Sequence, residues 1–267
     1  MNRVLAGSAV LHGLAAAGLL AAPFLWPWWL GAVVANHAAI VGLVLSPSSQ
    51  ALGSALNRVP AAAAVVLTFD DGPDPEVTPH VLALLAAAEA TASFFCIGER
   101  ARQYPGLVRA IAAAGHGVEN HTQHHPNGFA FLRPAGLRRE VMAAQSVLAG
   151  LALAPPRFFR APMGFRPPTL AGVLRGTGLH AVAWTRRGYD TVDRNPSRVL
   201  RRLLRDLSAG DVLLLHDGNA ARAADGTPVV LAVLPPLLAA LRSRGLSAVA
   251  LPRSCAGTGP EGAPASP

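Results

Sequence analysis

The chain opens on two apolar runs, roughly residues 4–25 and 28–46, parted by Trp26-Pro27-Trp28-Trp29, and no Asp, Glu, Lys or Arg stands between Val4 and Asn57. Each run is long enough to cross a hydrocarbon layer as a helix. Indole rings beside a proline suit a tight turn at a membrane–water boundary. The pattern predicts a transmembrane helical hairpin over residues 1–50. A cleaved secretory signal accounts for the first run alone, and buried soluble helices would carry charges on an outer face, which neither run does. With Arg3 before the first span and Arg58 after the second, the positive-inside rule puts both ends, and the domain that follows, on the cytoplasmic face.

Residues 51–62, small and uncharged up to Arg58, read as a linker. Beyond them the pattern changes. Short apolar runs at Ala64–Phe69, Ala92–Ile97, Arg157–Phe159, Ala181–Trp184, Val212–Leu215 and Ala248–Leu251 alternate with helical spacing over 79–89, 101–114, 135–152, 197–208 and 230–244. Strand alternating with helix predicts an α/β domain over 63–254 with a parallel sheet or barrel. The Gly-, Pro- and Ala-rich stretch 255–267 reads as a disordered tail.

Composition adds little to this division. Of 267 residues 51% are hydrophobic and 14% charged, and the apolar excess is local to the predicted hairpin. The net charge of +8 is carried by scattered arginines with no lysine, and no basic stripe interleaved with aromatics appears, so nucleic acid is not an expected partner. Cys96 and Cys255 imply no disulfide framework, and Cys96 reads as a small buried hydrophobe.

The polar residues that stand out lie where the apolar runs end: Asp70 and Asp71, Arg160, Asp190 and His216. In a parallel α/β barrel those positions converge on the carboxyl face. Two adjacent carboxylates in Thr68-Phe69-Asp70-Asp71-Gly72-Pro73 repel, and a cation relieves that repulsion while leaving one of them free to accept a proton. In His121-Thr122-Gln123-His124-His125 the outer pair fall on one face if the segment is a helical turn, a spacing that suits two imidazole ligands. Asp71, His121 and His125 then supply three ligands and leave positions for water and substrate, as a catalytic zinc site does; the same donors suit cobalt or nickel.

Thr-Phe-Asp-Asp-Gly-Pro, His-Thr-x-x-His, Arg160-Ala161-Pro162-Met163-Gly164 and Leu214-Leu215-His216, in that order, resemble the polysaccharide deacetylase family, the NodB-homology domains of carbohydrate esterase family 4. The resemblance spans roughly residues 63–253 and implies a distorted (β/α) barrel that hydrolyses N-acyl groups on amino sugars. It implies that Asp71, His121 and His125 bind a divalent metal, Asp70 is the general base, Arg160 holds Asp70 ionised, and His216 protonates the leaving amine with Asp190 raising its proton affinity. The backbone N–H of Met163 would meet the oxyanion, with Leu214 and Thr191 at the acyl pocket. The chain departs from the family at Arg187 and Thr191, where an acidic residue and a tryptophan are usual, and at Met163, where an aromatic residue is common. A deformylase or O-acyl esterase acting on a lipid-linked sugar, and a metal-containing carbohydrate binder without activity, are the alternatives. The expected partners are an N-acylated glycan or lipid-linked sugar and the membrane.

Overall fold

A computed structural model describes residues 3–252; the predicted tail lies outside the described residues. Two helices, α1 (Arg3–Ala21) and α2 (Trp26–Val44), are joined by the single turn Pro23–Leu25. They pack antiparallel: Asn36 donates to Ser8 Oγ at 2.8 Å, the rings of His12 and His37 lie 5.1 Å apart, and the indole of Trp29 covers Gly18. Both are long and apolar enough to cross a membrane, and at most 6% of either span is buried in the protein. Their outward surfaces are apolar side chains such as Val10, Leu20, Trp28 and Val34.

The other described residues form a half-barrel of eight parallel strands. In chain order the elements are β1 (Ala64–Asp70), α3 (Thr78–Ala87), β2 (Ser93–Cys96), α4 (Gly98–Gln103), α5 (Pro105–Ala113), β3 (Gly117–Asn120), α6 (Pro134–Ala149) and β4 (Phe158–Phe159). They continue with α7 (Leu170–Arg175), β5 (His180–Ala181), β6 (Arg186–Arg187), α8 (Pro196–Leu204), β7 (Val212–His216), α9 (Val229–Ser243) and β8 (Ser247–Val249). The strand order is β5-β4-β3-β2-β1-β7-β6, with β8 paired to the first half of β1. Consecutive β5 and β6 do not pair, and there the barrel stays open.

Strand β1 shows how alternation sorts the core. Val65, Leu67 and Phe69 face the layer of α3, α5, α8 and α9, whereas Val66 joins Phe95, Phe158 and Val212 inside the barrel. Thr68 and Asp70 share the inward side of the strand with Val66. The inner face thus turns from apolar to polar toward the carboxyl end of β1.

The stretch predicted as a linker is built into the fold. Leu52, Ala55 and Val59 are buried, Leu56 bridges to Val182, and Arg58 pairs with Asp211 at 2.6 Å. Residues 56–59 therefore run across the opening between β5 and the start of β7. Upstream, the N–H of Arg166 donates to Val44 O, and the buried Arg166 guanidinium reaches the carbonyls of Ser49 and Gly53. The hairpin is thereby fastened to the loop that follows β4.

Candidate metal centre and flanking acid–base pair

The register of the strands brings the motif ends together. Asp70 is the direct partner of His216 across β1 and β7, and Asn120 that of Phe159 across β3 and β4, so the residues just beyond, Asp71, His121 and Arg160, leave the sheet on the same rim. Asp71 takes a left-handed backbone conformation, φ 71°, which swings its side chain away from the strand direction. A side chain on Gly72 would collide with the carboxylate of Asp217, so that tight turn requires glycine.

Asp71, His121 and His125 form one cluster whose ligating atoms all lie within 4.8 Å of one another. Nε2 of each histidine stands 3.3 Å from Asp71 Oδ1. His121 Nδ1 donates to the carbonyl of Arg160 at 2.8 Å, which leaves its Nε2 lone pair aimed at Asp71. The expected helical turn is not there: 121–125 is a loop, and left-handed conformations at Thr122 (φ 68°) and His125 (φ 50°) bring the two rings to 4.9 Å. The hydroxyl of Thr122 holds this loop by accepting the N–H of His125, and His124 turns outward to Glu140.

This cluster fits a divalent cation. Asp71 Oδ1 is buried and accepts no hydrogen bond, while two imidazole nitrogens converge on it, an arrangement that a positive ion among the three atoms satisfies. Burial resists the Asp71 charge, yet the neighbouring His121, His216 and His125 hold its pKa well below the usual carboxylate range. Burial also opposes charge on His121, and there Asp70 and Asp71 win and raise it; at His125 burial and the neighbouring His121 push the pKa down.

On one side of the cluster Asp70 is clamped. Arg160, 1% exposed, donates from one nitrogen to Asp70 Oδ1 at 2.5 Å and to Thr68 Oγ1 at 2.9 Å, and from another to Ala183 O at 3.2 Å. Its guanidinium lies 4.1 Å from the centroid of the Phe95 ring, inside the barrel. The paired guanidinium fixes the Asp70 carboxylate, whose second oxygen sits 3.8 Å from His121 Nε2.

On the other side His216 is held at two points by the fully buried Asp190, which accepts the ring Nδ1–H and the backbone N–H, both at 2.8 Å. Burial disfavours the imidazolium, but Asp190, aided by Asp70 and Asp71, outweighs it and lifts the His216 pKa to about 9. Burial likewise raises Asp217 to about 7, and the carboxyl group hydrogen-bonds with Thr78 Oγ1.

Met163 adopts φ 56° in the turn after Arg160, and its N–H meets no acceptor among the described residues. Gly164 follows at φ 76°, where a side chain would strike Trp184 and Pro47. Leu214 is buried two residues before His216 on the same side of β7, and half-buried Thr191 follows Asp190. Among the described residues no contact places Thr191 against the cluster. Arg187 lies over the rings of Trp184 and Tyr189.

Sequence reasoning missed Asn219. Its amide donates to Asp71 Oδ2 at 3.1 Å, and its oxygen accepts from Arg100 at 3.0 Å. The signal was present in His216-Asp217-Gly218-Asn219, a turn at a strand end in which asparagine takes the left-handed φ of 57° that it tolerates better than most residues.

The sequence model of polysaccharide deacetylases matches residues 57–182. A chitooligosaccharide deacetylase of Bradyrhizobium sp. (strain ANU 289) is 34% identical over 71% of this chain and 89% of its own length. A peptidoglycan-N-acetylglucosamine deacetylase of Bacillus cereus is 31% identical over 71% of this chain and 67% of its own. Among solved structures, a family 4 carbohydrate esterase from Streptomyces lividans in complex with acetate superposes with a TM-score of 0.63 at 32% identity, covering 71% of this chain and 93% of that one.

Proposed function

This chain belongs to the polysaccharide deacetylase family, and we propose that it is a metal-dependent hydrolase that removes N-acetyl groups from N-acetylglucosamine-type sugars of a glycan or a lipid-linked saccharide. The observation that carries this reading is the arrangement of a clamped carboxylate, Asp70, and a buried imidazole, His216, on either side of the Asp71–His121–His125 cluster. A binder would need neither.

A divalent ion held by Asp71, His121 and His125 would supply Lewis acidity toward water and the acyl oxygen; the donor set suits zinc, cobalt and nickel alike, and availability favours zinc. Asp70, oriented by Arg160, accepts the proton of the attacking water. The unengaged N–H of Met163 donates to the oxygen on which negative charge develops. His216 gives a proton from Nε2 to the departing amine nitrogen, while Asp190 on Nδ1 fixes the ring's orientation and stabilises its charge. The family resemblance assigns Leu214 and Thr191 to the acyl pocket, and of the two the geometry supports Leu214, buried two residues before His216 on β7.

The hairpin is proposed as a transmembrane anchor, with the domain of residues 63–254 on the cytoplasmic face because Arg3 and Arg58 flank the spans. The full chain in neutral detergent, supplied with zinc, cobalt or nickel and offered N-acetylglucosamine oligomers or lipid-linked N-acetyl sugars, should yield products lighter by one acetyl group and bearing a free amine by mass spectrometry. Loss of O-linked acyl groups only, or of formyl only, would replace the reading with an esterase or a deformylase. Unchanged masses with every metal would sink it.

A further inference from the structure

Where the hairpin meets the domain, a cleft of about 750 Å³ opens between three parts of the chain. Arg3 of α1 lines one wall, Gln50 and Gly53 of the segment after α2 another, and Arg138 of α6 with Thr169 and Arg175 at the two ends of α7 the third. Three arginines thus line one cavity whose described lining holds no carboxylate. None of the three has an ion-pair or hydrogen-bond partner among the described residues. Some arginines elsewhere in the domain pair with carboxylates, as Arg58 does with Asp211, Arg202 with Asp193 and Arg222 with Glu76, so what distinguishes this cleft is that three arginines converge on it.

The position is as telling as the charge. Arg3 begins α1 and Val44 ends α2, so the cleft lies level with the open end of the hairpin. Each helix has 19 residues, about 28 Å of rise, close to the ~30 Å of a bilayer's hydrocarbon core. If the helices span it, the cleft falls in the headgroup layer, where juxtamembrane arginines attract anionic lipid.

We infer that this cleft binds the phosphate headgroup of an anionic membrane lipid. This rests on the hairpin being a transmembrane anchor. The lipid, rather than a free phosphate, fits because Leu5 of α1 lines the cleft and the apolar outer surface of the hairpin continues from it, giving acyl chains a path that a soluble anion would not use. The consequence is orientation. Helices α6 and α7 begin where the loops carrying His121, His125 and Met163 end, and Pro47 lies against Gly164. A headgroup gripped here therefore holds the catalytic rim toward the membrane surface, where a lipid-linked saccharide is presented.

Native mass spectrometry of the full chain released from neutral detergent, after mixing with phosphatidylglycerol or phosphatidylcholine, tests the site. Phosphatidylglycerol should be retained in preference, and R138Q/R175Q, which alters only exposed side chains, should weaken that retention at least tenfold. A control, R201Q/R205Q, removes the same charge at α8 and should retain the lipid. Equal retention by R138Q/R175Q, equal loss in the control, or protection of the melting temperature by inorganic phosphate as large as that by lipid would each overturn the site. Carbonate washing of membranes reads the anchor separately: a chain recovered in the soluble fraction would overturn the hairpin and this inference with it.

Discussion

Replacing Asp190 with asparagine keeps the shape of the side chain and one acceptor, but removes the charge that keeps His216 protonated. In the native protein His216 titrates at about 9, against an ordinary value of 6.5, a gap worth roughly 3 kcal/mol in favour of the imidazolium. Without the Asp190 charge, burial is opposed only by Asp70 and Asp71, whose field a bound cation offsets, so 6.5 is an upper guide to the variant's value. At pH 8 the protonated fraction then falls from about nine in ten to about one in thirty or less, a loss of roughly thirtyfold or more in kcat, and at pH 6 the loss is smaller than this by more than about tenfold. The sign also governs stability. A raised pKa stabilises the fold fully below about pH 6.5, and that contribution is lost as pH rises through about 9. The variant should lack that loss. Acetate release measured from pH 5 to 10 at fixed metal concentration is the assay: the alkaline limb should move down by two units or more. An alkaline limb that stays in place, with the rate reduced equally at every pH, would refute His216 as the acid.

Arg160→Met strands the Asp70 carboxylate inside the barrel and should cost about 3–5 kcal/mol of stability, read as a lower melting temperature in detergent. Adding Asp70→Asn should recover much of that loss without restoring turnover. Asn219→Ala removes the hydrogen bond to Asp71 Oδ2 and should weaken metal binding by about ten- to a hundredfold. Competition with a chelator measures this, and excess metal should restore the rate.

The parts of the fold written as uninterrupted apolar runs were legible in the sequence. Strands β1, β2 and β7 are buried on both faces, so their runs stand out. Strand β3 was not legible, because Gly117-Val118-Glu119-Asn120 carries a buried Glu119 whose carboxylate accepts the N–H groups of Arg157 and Phe158, a pairing visible only once β3 and β4 are adjacent. The cluster of Asp71, His121 and His125 was found from residue types and spacing, but the helical turn that seemed to justify the spacing is a loop bent at two left-handed residues. Spacing of four reported proximity and concealed its cause. The segment 51–62 read as a linker because its small residues carry no periodicity, although Leu56 is held by backbone hydrogen bonds on both sides and needs none. Asn219 went unnoticed because it reaches Asp71 from 148 residues away.

In the proposed mechanism Asp70 handles the proton of the attacking water while Asp71 holds the ion. Asp70→Asn separates the two roles, since Asp70 stands outside the cluster of ligating atoms. Metal content by plasma mass spectrometry, with acetate release on the same sample, should show native metal occupancy and turnover reduced by about a hundredfold or more. Turnover at the native rate in the metal-loaded variant would rule out Asp70 as the base.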